Sequence, residues 1–130
     1  MKLSYDCMRD VLILLEEHLT VDADLCFSEM SINDIMAYNY ICDRYSIEEV
    51  AYSVHNLYQC DFVSAEHYES DDALEYRVYD VTYTGHEFLA TVRSDNVWHY
   101  IKEQLKHINI ANIPTIVMCA KRFIDAAFNK

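Results

Sequence analysis

Glycine and proline are almost missing from this chain, which has one of each, Gly85 and Pro114, in 130 residues. Their usual shares are roughly 7% and 5%, so this scarcity excludes Gly-rich phosphate cradles, long loops and low-complexity linkers, and it favours helix. No apolar run exceeds Val11 to Leu15, far short of the roughly 20 residues a membrane-spanning helix needs. Cysteine is present without pattern. Cys7, Cys26, Cys42, Cys60 and Cys119 are odd in number, widely spaced and never in a C-x-x-C pair, which argues against a disulfide framework and a zinc ribbon. They read as reduced, mostly buried thiols. Met1 to Asp10 lacks the basic segment, apolar core and small-residue cleavage site of a secretory leader, so a cytoplasmic protein with no membrane role is expected.

What is abundant is acid and tyrosine. Apolar residues make up 52% of the chain, enough for one real core without metal or disulfides. Ten Lys and Arg face 22 Asp and Glu, a net charge of −12. Residues 1–83 hold only Lys2, Arg9, Arg44 and Arg77 against eighteen acids, a balance of −14, whereas residues 84–130 stand at +2. Two surfaces with different tasks follow from such asymmetry.

Apolar periodicity predicts a first helix from Tyr5 to Leu19, with Met8, Val11, Leu12, Leu15 and Leu19 inward and acids outward. After a polar turn at Asp22 to Asp24, Leu25 to Ser28 reads as a short extended segment. Ser31 with Asp34 opens a second helix to about Cys42. Ser46 with Glu49 is the S-x-x-E capping box of a third helix, ending near Cys60. Phe62 to Tyr68 and Tyr76 to Tyr83 read as strands around an acidic loop, Glu69 to Glu75. Tyr76 and Val78 fall on one face of the second strand, with Arg77, Tyr79, Val81 and Tyr83 on the other. Thr84 with Glu87 predicts a helix to Val92. Ser94 or Asp95 caps another to about Ile108, and Asn112 and Pro114 start a last one to about Phe128. The expected fold is α+β, mostly α: a winged helix (helix, strand, helix, helix, β-hairpin) over residues 1–83, with C-terminal helices at 84–130 packed on it as one structural unit.

Thr84, Gly85, His86, Glu87, Phe88, Leu89, Val92, Arg93, Asp95 and Trp98 are similar to a T-x-x-G-H-[DE]-F-L-x-x-[IV]-R-x-[DN]-x-x-W pattern. That pattern marks a family of uncharacterised bacterial and prophage-encoded proteins. Gly85 stands two places nearer Thr84 than the glycine does to the threonine of the pattern. Tyr45, Ser46, Glu48, Glu49, Val50, Ala51 and Tyr52 resemble the family's Y-S-x-E-E-I-A-Y-H run, whose histidine arrives late here, as His55. The resemblance implies a winged-helix-like fold and a frequent place in mobile elements, with no established activity.

A winged helix that reads DNA carries Lys and Arg on its third helix and wing to neutralise phosphates. Here the expected solvent face of the third helix offers Glu48, Glu49, Tyr52, Ser53, His55, Asn56 and Gln59, and the wing offers Glu66, Glu69, Asp71, Asp72 and Glu75. The charge speaks against nucleic acid. Lys102, Lys106, Lys121 and Arg122 form either a basic patch or a solvated helix face. His86 and Glu87 begin an H-E-x-x-H pattern that fails at Ala90. His99, Glu103 and His107 share a helical face, for which charge pairing is the plainer reading. With one glycine to shape a site and no cysteine paired with a base, no enzyme, metal or cofactor is expected.

The function expected is that of a protein-interaction module of mobile-element type. Glu48, Glu49, Tyr52, His55, Asn56, Gln59, Glu69, Asp71 and Asp72 would meet a basic protein partner. A narrower form is an inhibitor that mimics DNA charge, and the C-terminal helices complete the core or form a homodimer. The alternative is a winged-helix transcription regulator using Asn56, Gln59 or the C-terminal basic residues on an operator.

Overall fold

The computed structural model describes residues 2–70, 73–107 and 112–128. It is a mixed α+β protein, mostly helical, with one small antiparallel sheet. Contacts divide it into two compact units, Met1–His86 and Glu87–Lys130. Among the described residues no helix is long and apolar enough to cross a membrane.

In the first unit, α1 (Tyr5–His18) begins where the Ser4 side chain accepts the Cys7 N–H. It packs on α4 (Ile47–Gln59) through Met8, Val11, Leu12 and Leu15, all buried, as are Val50, Val54 and Leu57 of α4. Between them run β1 (Met30–Ser31), α2 (Ile32–Met36) and α3 (Asn39–Cys42). The single helix expected from Ser31 to Cys42 is broken, with Tyr38 extended at φ −87°, ψ 123°. Ile35 and Ile41 explain the break. Six residues apart on one continuous helix they would point about 120° apart, yet both are fully buried.

The first strand of the chain is Met30–Ser31, not Leu25 to Ser28. Residues 20–28 form a tight turn in which Asp22 Oδ1 accepts the N–H groups of Asp24 and Cys26, and Val21 bridges Phe27. The hairpin pairs β2 (Val63–Ser70) with β3 (Ala73–Val81), in the sheet order β1-β3-β2. Its strands run further than expected, since Glu69 pairs with Leu74 and Ser70 with Ala73 inside the stretch read as a loop. The register shifts at Ser64/Ala65, where Ser64 faces Asp80 and Ala65 faces Val78. Tyr79 is thus the extra residue of a bulge, which turns Val81 onto the buried face with Tyr76 and Val78 instead of the opposite one.

Helix α5 (Tyr83–Val92) starts two residues earlier than a Thr84 cap would place it, because Thr82 caps it. The Thr82 hydroxyl accepts the Gly85 N–H at 3.1 Å and donates to the Asp61 carbonyl. In the second unit, α6 (Asp95–Leu105) packs on α7 (Ile113–Phe128). Val97, Trp98, Ile101, Ile116 and Cys119 are buried, and Asn112 caps α7 through the Thr115 N–H at 2.9 Å.

Candidate functional site

Both ends of α4 are closed by local chemistry. At its start the Ser46 hydroxyl accepts the Glu49 N–H and the Glu49 carboxylate accepts the Ser46 N–H, each at 3.2 Å. At its end Asp61 takes the left-handed conformation, φ 62°. The Phe62 N–H then reaches the Leu57 carbonyl and the Asp61 N–H the Tyr58 carbonyl, the paired bonds of a Schellman cap. Both ends of the helix are therefore satisfied locally, and α4 packs against β2.

Of the residues expected on its outer face, Glu48, Glu49 and Gln59 are exposed, while Tyr52, His55 and Asn56 are half-buried. Ser53 is not on that face: it is buried, and its hydroxyl hydrogen-bonds the Cys7 thiol. Burial pushes the Cys7 thiol up to about 11, with Glu49, Asp10 and Asp6 adding repulsion. The Asn56 amide donates to the Tyr52 carbonyl at 2.8 Å, so its N–H group serves its own helix. Glu48, Glu49 and Tyr52 line a groove with Lys2 and Ser4.

His55 turns toward the sheet, its Nδ1 2.6 Å from the Tyr76 hydroxyl. Around this pair the rings close into a cluster: Tyr58 lies 5.5 Å from Tyr76 and 5.4 Å from His67, and Tyr52 stacks on His55 at 6.3 Å, centroid to centroid. Ring contacts of this kind add to area burial. Burial raises the Tyr76 phenol above its ordinary value, with Tyr58 adding to the shift. The structure thus brings Tyr52 and His55 together as a seam between helix and hairpin, and leaves Glu48, Glu49 and Gln59 to solvent. Glu69 is exposed on β2, and Asp71 and Asp72 lie outside the described residues. On the outward face of the hairpin Arg77 is shared between Glu29 and Glu75, each at 3.9 Å.

The most elaborate polar arrangement is one the sequence reading missed. Asp10 is buried, and its carboxylate accepts from Tyr45 at 2.6 Å, Tyr40 at 2.9 Å and Arg44 at 3.1 Å, with the Arg9 guanidinium 3.7 Å away. Arg9 is buried too. Burial first, and then hydrogen bonding to Asp10, raises the Tyr40 phenol to about 12, and the Tyr45 phenol rises for the same reasons. The signal lay in α1, where Asp10 falls three residues after buried Cys7 and four before buried Leu14, inside the apolar stripe and not on the acidic face. This centre ties α1 to α3 and to the turn before α4.

Other expected features settle into pairs on the surface. His86 reaches Glu16 at 3.0 Å, seventy positions away, rather than bonding near its own helix start. Glu103 pairs with Lys106 at 2.9 Å, which lowers its carboxyl, with His99 and His107 contributing less. Lys102 and Lys121 are exposed, and the Arg122 side chain lies outside the description. Among the described residues no three His, Cys, Asp or Glu group as metal ligands.

Fold and site together define an acidic, mostly helical α+β protein with a helix seated on a three-stranded antiparallel sheet through a tyrosine–histidine seam. Residues 2–111 match the family described as hypothetical protein, DUF2513, and the chain belongs to that family. No curated protein and no solved structure matches it.

Proposed function

We propose that residues 1–86 are a winged-helix-type module that binds a basic protein partner rather than DNA, and that it does so without chemistry of its own. In this reading α4 takes the place of the reading helix and the β2–β3 hairpin that of the wing, with α3 a short insertion. The order α1, β1, α2, α4, β2, β3 and the sheet order β1-β3-β2 support it. The observation that carries the choice of partner is the exposure of Glu48 and Glu49 on the first turn of α4, a helix without a single Lys or Arg.

Phosphate contacts supply much of the affinity of DNA readers, and carboxylates at the reading position oppose them. Asn56, the residue best suited to adenine, already spends an amide N–H on Tyr52. The same acidity steers a cationic protein toward this face. Glu48→Gln with Glu49→Gln removes both charges while a glutamine still closes the capping box, so the helix survives the test. The expected result is a captured partner lost by that variant and by rising salt, with no shift of random duplex DNA at low salt. Partners held equally by both baits, or duplex binding, would overturn the proposal. A DNA-charge mimic is its narrower form and requires in addition that duplex DNA displace the captured partner.

A further inference from the structure

We propose that the groove between the C-terminal half of α1 and the α2–α3 junction binds the guanidinium of an arginine on an extended segment of a partner protein. It shares no lining residue with the α4 face, and shares with the preceding reading only the cationic character of the partner.

Ile13, Leu14, Glu17, His18, Tyr38 and Tyr40 line this open groove of about 320 Å³. Two tyrosine rings among them keep much of their surface open to solvent: Tyr38 is 37% exposed and Tyr40 46%. Both are held in place. The Tyr38 ring lies 4.4 Å from that of His18, tilted by 32°. The Tyr40 hydroxyl is anchored on buried Asp10 at 2.9 Å, and Asp10 is itself fixed by Tyr45 and Arg44. Rings pre-set in this way lose little freedom when a ligand arrives.

The chemistry of the occupant is written beside the groove. The Arg44 guanidinium carbon stands 5.4 Å from the centre of the Tyr40 ring, so this wall already takes a planar cation. A guanidinium is recognised by stacking on aromatic faces while its N–H groups meet carboxylates, which a compact ammonium does less well. Ile13 and Leu14 offer the aliphatic stem of such a side chain apolar contact, and Glu17 is the carboxylate among the lining residues. The −14 balance of residues 1–83 adds a field that concentrates cations at the surface.

The test is an NMR titration of the full chain with the blocked tripeptide Gly-Arg-Gly, against the same peptide with neutral citrulline in place of arginine. Saturable shifts of the Tyr38, Tyr40 and His18 ring signals are expected with arginine and not with citrulline. Tyr38→Leu keeps apolar area and removes the π face, and should weaken the titration about tenfold, whereas Tyr38→Phe should stay close to the parent. The Glu48→Gln, Glu49→Gln variant should bind the tripeptide like the parent, so failure of the α4 reading leaves this result untouched. Equal shifts with citrulline, indifference to Tyr38→Leu, or loss in the α4 variant would overturn the proposal.

Discussion

The carbonyl oxygen of Phe62 occupies the space that a β-carbon on Gly85 would fill. That oxygen also accepts the Thr82 N–H at 3.0 Å, and the segment carrying it is fixed by the Schellman cap of α4, so it has little room to retreat. Gly85 therefore stands where the end of α4, the end of β3 and the start of α5 come closest. Gly85→Ala forces backbone apart instead of moving a flexible side chain. The expected loss is about 3 kcal/mol, at the upper end for overpacking. Urea unfolding checks it, as a lowered midpoint with an unchanged slope.

Asp61 and Leu25 are the non-glycine residues described with positive φ, at 62° and 60°. Asp61 sits where the Schellman cap favours glycine. Its left-handed backbone carries strain, and its side chain is exposed. Asp61→Gly should raise stability by about 0.5–1 kcal/mol, the relief of strain being partly offset by greater freedom of the unfolded chain. Leu25 is 75% exposed, so Leu25→Asn gives up little packing and should act in the same direction. Thermal melting of the two single variants measures both effects.

These positions also mark the division between what the sequence revealed and what it concealed. The Ser46–Glu49 box was legible because a cap is written within four residues. The Tyr79 bulge and the break at Tyr38 were not, since each is imposed by partners far along the chain: the former brings Val81 inward, the latter Ile41. The α4 face was half legible. Glu48 and Glu49 are outward as their helical positions suggest, but His55 is claimed by Tyr76, twenty-one residues on, and Ser53 by Cys7. No local pattern announces such contacts.

Asp10→Asn tests the buried centre. The substitution keeps shape but removes the charge that Arg44 and Arg9 face, and Arg9 is too deeply placed to be solvated in compensation. Removing one partner of a buried ion pair costs about 3 kcal/mol or more. Tyr45→Phe deletes one hydrogen bond to the carboxylate and should cost about 2 kcal/mol. Denaturant curves on both variants would show it, and a loss under 1 kcal/mol for Asp10→Asn would mean that water reaches the centre.

The cysteines should separate by reactivity. Cys26 and Cys42 are exposed, whereas Cys7 is fully buried and its thiol is pushed up to about 11. Thiolate is the reacting form, so a raised value slows alkylation on top of poor access. At pH 8 iodoacetamide should label Cys26 and Cys42 first, with Cys7 and buried Cys119 modified only after unfolding. Peptide mapping after timed quenching reads the order.

Alkali should open the protein at the Asp10 centre. The Tyr40 phenol is raised from 10.0 to about 12 and the Tyr45 phenol is raised also, so the folded state holds both neutral where an unfolded chain would ionise them. A raised acid contributes stability that is fully present below the unfolded value and lost as pH climbs through the folded one. Stability should therefore hold up to about pH 10 on this account and fall between 10 and 12. Absorbance at the phenolate band should rise in more than one stage, with the pair on Asp10 last and accompanied by loss of helical signal. Asp10→Asn, which removes the anion that both phenols face, should bring the late stage forward. A single smooth titration unchanged by that substitution would show that the carboxylate does not hold the two hydroxyls.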